Sequence, residues 1–145
     1  MGFGERWIRW IKFCITIVKY SILINGGSVG FFSPQKGLRQ GDPLSPFLFI
    51  LAMEGLSKML HKANQLHWLE GFKVGNEEGN FVIVSHLLYA DDTLIFSGAE
   101  KSQVLYLNLT LMIFEAISGL HMDMMKSTIY LVNTVPNLDE LAKVM

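Results

Sequence analysis

A chain of 145 residues is one domain or less. Half of its residues are hydrophobic and the mean hydropathy is +0.33, so a core can form and an adhesive surface is expected. A formal net charge of −1 excludes any bulk electrostatic drive toward nucleic acid; contact would have to come from local clusters such as Arg6, Arg9 and Lys12, or Lys36 and Arg39. In isolation, those clusters read more simply as solvated faces.

Residues 5–18 repeat apolar side chains at helical spacing, with Trp7, Ile11, Cys14 and Val18 on one face. That face predicts a core position for Cys14. As the single cysteine, Cys14 excludes an intrachain disulfide and fits a reducing compartment. Residues 20–25 read as a strand, Asn25-Gly26-Gly27-Ser28 as a hairpin turn, and residues 29–32 as the returning strand. Residues 33–42 are loop. The longest helix is predicted over 43–64, with Leu44, Leu48, Leu51 and Gly55 along one face. A short strand follows at 71–75, then a polar turn at 76–80 and a hairpin within 81–97. An amphipathic helix is expected over 102–117, ended by Gly119. A final strand at 127–132 and a short helix after Pro136 complete the chain. The elements predict an α+β fold, with helices packed on one face of an antiparallel sheet.

Several features point to no particular chemistry. His61, His67, His86 and His121 lack zinc spacing. The sequon Asn108-Leu109-Thr110 falls within a predicted helix, and the methionines read as core filler. The N-terminal apolar run is broken by Lys19, and residues 47–53 are too short to span a bilayer.

Two motifs carry chemistry. Tyr89-Ala90-Asp91-Asp92 places adjacent carboxylates between two apolar runs, at the tip of the predicted hairpin. Adjacent carboxylates repel, and a divalent cation with a preference for hard oxygen ligands, such as Mg²⁺, removes that penalty. A cation site of this kind suggests phosphoryl transfer. On the tetrapeptide alone a solvated turn is the simpler reading, since aspartate is common in turns. The second motif is Gly37-Leu38-Arg39-Gln40-Gly41-Asp42-Pro43-Leu44-Ser45-Pro46. It reads as a loop entering a helix, with Asp42 as N-cap and Pro43 at the first helical position. Gly37 and Gly41 allow close backbone approach to a ligand, and Arg39 and Gln40 can reach phosphate or a base edge. A well-capped core helix is the alternative.

The chain strongly resembles the reverse transcriptases of non-LTR retrotransposons, the LINE-like elements, especially those of plants. The resemblance lies in the second motif continued through Phe47-Leu48-Phe49 and in His86-Leu87-Leu88-Tyr89-Ala90-Asp91-Asp92-Thr93-Leu94-Ile95-Phe96. It extends to Phe114-Glu115-Ala116-Ile117-Ser118-Gly119-Leu120 with Lys126-Ser127, and to Met1-Gly2-Phe3-Gly4 with Trp7 and Trp10. It implies the palm of an RNA-directed DNA polymerase, with Asp91 a Mg²⁺ ligand and Asp92 assisting at the same metal. Tyr89 would lie near the primer end, and it and Ala90 would belong to the nucleotide- and template-binding set. Arg39, Gln40 and Gly41 would contact template and incoming nucleotide. Lys126 would assist the departing pyrophosphate, although His121 and Asp123 stand where plant relatives more often carry Lys and Asn. The implied partners are an RNA template, a DNA primer and a deoxynucleoside triphosphate, with no membrane. The implied location is the nucleus or the cytoplasm.

One departure matters. The family uses a further palm carboxylate on an upstream strand, yet the only acidic residue before Asp42 is Glu5, in a helical segment. The expectation is a partial domain over residues 1–145, with the upstream strand, fingers and thumb absent. Such a chain is expected to be inactive alone, with an exposed apolar face and an unpaired sheet edge. The alternatives are a non-catalytic relic, an interaction module or a small nucleic-acid-binding module.

Overall fold

The computed structural model describes residues 2–35, 37–75, 80–133 and 138–144. They form two compact units, Met1–Gly37 and Leu38–Met145. The class is α+β, as expected.

The first unit holds α1 (Glu5–Thr16), β1 (Tyr20–Ile24) and β2 (Gly27–Phe32). Gly4 precedes α1 in extended conformation, and Glu5 places its carboxylate at the positive end of the helix. β1 and β2 pair antiparallel with Ile24 opposite Gly27, leaving Asn25-Gly26 as the turn. Both turn residues have positive φ, 50° and 81°, the geometry that matches the twist of paired strands. No residue of α1 is buried, and Cys14 is exposed rather than in a core. One helix and one two-stranded hairpin carry too little surface to enclose a helix face.

The second unit contains the core. Its elements are α2 (Ser45–Gln65), β3 (Phe72–Gly75), β4 (Phe81–Val84), β5 (His86–Tyr89), β6 (Asp92–Ile95), α3 (Lys101–Ser118) and α4 (Leu138–Ala142). Helix α2 presents Leu56, Leu60 and Ala63 at one-turn spacing; α3 answers with Leu107, Leu111 and Phe114. Leu69 closes the cluster, and Leu88 and Ile95 pack against it from the β5–β6 hairpin. Each fully buried leucine contributes about 2 kcal/mol of transfer free energy.

Helix α2 begins two residues later than expected. The Asp42 carboxylate accepts the Leu44 N–H at 2.8 Å, and the Asp42 carbonyl accepts from Ser45. Asp42 therefore caps a tight turn before the helix. Pro46 takes the first helical turn, where its missing N–H costs nothing. At the other end His67 adopts φ 57° and Trp68 N–H reaches the Ala63 carbonyl at 2.9 Å, a left-handed close made without glycine. Helix α3 ends as expected, at Gly119 with φ 71°.

Among the described residues the strands form three separate antiparallel pairs, β1–β2, β3–β4 and β5–β6. Ser85 alone separates β4 from β5. The polar turn expected at 76–80 lies outside the described residues except for Asn80, and Pro136 lies outside them too. The strand expected at 127–132 does not form: Ile129, Tyr130, Leu131 and Val132 are exposed, with no strand beside them to complete a ladder.

Candidate functional site

The β5–β6 hairpin is short and its tip is tight. Tyr89 pairs with Asp92, so Ala90 and Asp91 are the two turn residues. Ala90 carries φ 51°, a conformation that glycine adopts freely and alanine resists by about 1 kcal/mol. Strained backbone of this kind is concentrated at functional turns. Asp91 and Asp92 are both exposed. Among the described residues neither carboxylate has a hydrogen-bond or ion-pair partner, so both remain open to an incoming ligand. Tyr89 is 82% exposed beside them, its ring free of the core.

The hairpin is held from behind. Leu88 and Ile95 pack on the α2–α3 core, and Phe96 stacks on Phe72 with ring centroids 5.7 Å apart. Phe96 N–H donates to the Ser85 carbonyl at 2.9 Å, extending the ladder by one bond. Gln103 secures the exit. It is buried on α3, and its Oε1 accepts the N–H of Gly98 at 2.7 Å and of Glu70 at 2.9 Å. Sequence reasoning missed this residue. Its signal was a polar side chain on the inner stripe of α3, in register with Leu107, Thr110 and Phe114.

In sequence His86 lacked zinc spacing and opened the stretch that carries the family resemblance, with no role of its own. Its Nε2 lies 2.8 Å from Ser57 Oγ and its Nδ1 2.8 Å from Ser85 Oγ. Burial first, and then the nearby His61 imidazole, hold its pKa below the usual 6.5.

The other expected residues fall in two places. Arg39, Gln40 and Gly41 form the exposed loop before α2, with Gly41 at φ 86°. Open space surrounds the position a Gly41 Cβ would take, so the positive φ, not crowding, is what selects glycine there. Lys126 sits on the turn after α3, exposed, with its ammonium 3.5 Å from the Asp123 carboxylate. No hydrogen bond or ion pair among the described residues links it to Asp91 or Asp92.

The donor set limits what the turn can hold. Among the described residues no group of three or more His, Cys, Asp or Glu side chains converges on one point. Two adjacent carboxylates supply one edge of a divalent-cation site. They do not fit an arrangement that grips two ions at once, which needs carboxylates from a second strand. Among the described residues no helix is long and apolar enough to cross a membrane.

Fold and site together define a small α+β domain that presents two unpaired carboxylates on a strained hairpin tip, supported by two packed helices. The family described as reverse transcriptase (RNA-dependent DNA polymerase) matches residues 1–140, and the chain belongs to that family. It is 49% identical over 71 residues to an uncharacterised mitochondrial protein of Arabidopsis thaliana, covering 49% of this chain and 56% of that protein. It is 35% identical over 99 residues to the retrovirus-related Pol polyprotein from a type-2 retrotransposable element of Drosophila melanogaster, covering 68% of this chain and 8% of the polyprotein. The matches thus span about half of one relative and under a tenth of the other. No solved structure matches the chain.

Proposed function

We propose that this chain is the central part of the palm of an RNA-directed DNA polymerase from a LINE-like non-LTR retrotransposon of a plant. Asp91 and Asp92 form one edge of a Mg²⁺ site, and the unpaired state of both carboxylates at the hairpin tip is the observation that carries this reading. Mg²⁺, when bound, supplies charge neutralisation at the reacting phosphate. The chain's own residues do the rest by position. Tyr89 flanks the primer end, the loop of Arg39, Gln40 and Gly41 meets template and incoming nucleotide, and Lys126 serves the departing pyrophosphate. The partners are an RNA template, a DNA primer and a deoxynucleoside triphosphate.

Among the described residues the donor set is incomplete for two-ion catalysis. A third carboxylate, with the fingers and thumb, would come from outside these 145 residues. On this reading the isolated chain does not extend primers. The same shortage supports a second reading, a non-catalytic relic of the same ancestry. Primer extension on an RNA template separates these from an active enzyme. Extension by the purified chain, abolished by Asp91→Ala, overturns the proposal of inactivity.

A further inference from the structure

At the base of the carboxylate hairpin, one imidazole has both nitrogens occupied by serine hydroxyls. His86 opens β5, five positions before Asp91. Ser57 Oγ reaches it from α2 at 2.8 Å, and Ser85 Oγ reaches it from the chain junction at 2.8 Å. A neutral imidazole offers one donor and one acceptor, so one serine gives a proton and the other receives one. Ring orientation is then fixed, and the two hydroxyls can satisfy either tautomer.

Side chains alternate along β5, so His86 and Leu88 share the face turned toward α2, while Leu87 and Tyr89 lie on the exposed face. Leu88 packs against the cluster that contains Leu56, next to Ser57 on α2, and Leu60, about one turn further on. The hairpin therefore meets α2 through an apolar contact and a hydrogen bond side by side. Apolar contact is non-directional and permits sliding, whereas a hydrogen bond fixes direction. An isolated two-stranded hairpin is marginal in water, so its orientation depends on such contacts. Among the described residues, Ser57 to His86 is the one side-chain hydrogen bond between α2 and this hairpin.

We propose that His86 is a positioning residue for the Asp91–Asp92 turn, seated between Ser57 and Ser85 so that the hairpin leaves α2 at a fixed angle. The role rests on the reading of that turn as the cation-facing edge of a polymerase site. The surroundings keep the imidazole neutral. His61 lies one turn along α2 from Ser57, with its Nε2 3.0 Å from Gln65 Nε2, and Lys58 on the same helix pairs with Glu54. The groups that bond to His86 directly are two uncharged hydroxyls.

Hydrogen exchange of the full chain, read by mass spectrometry, tests the role on peptides covering 86–96 and 101–118. Ser57→Ala is expected to lower protection of the hairpin peptide about fivefold and leave the α3 peptide unchanged. Ser57→Thr, which keeps a hydroxyl, restores it. In the wild type, hairpin protection falls as pH drops below 6.5, and His86→Gln removes that acid step. Unchanged hairpin protection in Ser57→Ala overturns the role. If Ser57→Ala loses protection in both peptides, His86→Gln decides, and hairpin protection that stays at the wild-type level at pH 7.5 overturns the role. Mn²⁺ binding by the same proteins separates this from the underlying reading. A threefold weaker affinity in Ser57→Ala supports positioning, whereas wild-type binding unaffected by Asp91→Asn overturns the cation reading whatever the exchange shows.

Discussion

Gln103→Met removes an acceptor while keeping the length and volume of the side chain. In the native fold Gln103 Oε1 receives two backbone N–H groups, from Gly98 at 2.7 Å and Glu70 at 2.9 Å. Gln103 is only 5% exposed, and a Cβ on Gly98 would stand 2.5 Å from its Nε2, so water has little room to replace the lost acceptor. Each stranded donor costs about 1–1.5 kcal/mol at partly buried positions, for a total of about 2–3 kcal/mol. In a chain of this size that lowers Tm by about 5–10 °C. Gln103→Glu keeps the acceptor oxygens and is expected to recover at least half of the loss. Urea unfolding followed by far-UV circular dichroism measures both. A Gln103→Met midpoint equal to the wild-type value would refute the idea that this side chain ties the hairpin exit to α3.

Other perturbations test separate parts of the structure. Leu60→Ala opens a cavity at a residue with 0% exposure and should cost about 3 kcal/mol in the same assay; a loss under 1 kcal/mol would mean the α2–α3 core is misplaced. Ala90→Gly relieves a positive φ of 51° and should stabilise the chain by up to about 1 kcal/mol, with destabilisation arguing against the strained turn. The His86 pKa lies below 6.5 in the fold, so from pH 6.5 downward the unfolded chain takes up the proton first. Stability is therefore complete above 6.5 and is lost as pH falls through the folded-state value. His86→Gln should flatten this acid limb of the urea midpoint against pH, and an identical limb would exclude His86 as its source. Exposed Ile22, Leu23, Phe31, Phe32 and Val82 predict self-association of the isolated chain by light scattering, whereas a sharp melt from a soluble monomer would contradict it.

Much of this was legible in the sequence because the decisive signals are local. Tyr89-Ala90-Asp91-Asp92 between apolar runs specified a hairpin with both aspartates at its tip, of which Asp91 lies in the turn and Asp92 opens β6; Asn25-Gly26-Gly27-Ser28 specified the first hairpin, whose turn is Asn25-Gly26. Gly119 marked the end of α3. Errors arose where a local signal had two solutions or where long-range packing decided. Asp42 and Pro43 satisfy the start of a helix, yet Asp42 closes a turn and Pro46 serves the helix. His67 ends α2 in a conformation that glycine usually advertises. Cys14 has helical apolar spacing, but spacing shows which face is apolar and not whether a partner covers it. The stretch 127–132 has strand composition, but strand formation needs a neighbour. Ser57 and Gln103 were invisible because they bond to His86 and Glu70, about thirty residues away along the chain.

On the proposed function, Asp91 and Asp92 form the open edge of a divalent-cation site in a reverse-transcriptase palm. Electron paramagnetic resonance of free Mn²⁺, titrated with wild-type chain and with the Asp91→Asn, Asp92→Asn double variant, tests it most directly. With two carboxylates from one strand end, binding should be weak, roughly 10⁻⁴ to 10⁻³ M. This binding should disappear in the double variant while α3 stays folded. Binding of equal strength in both proteins would contradict it.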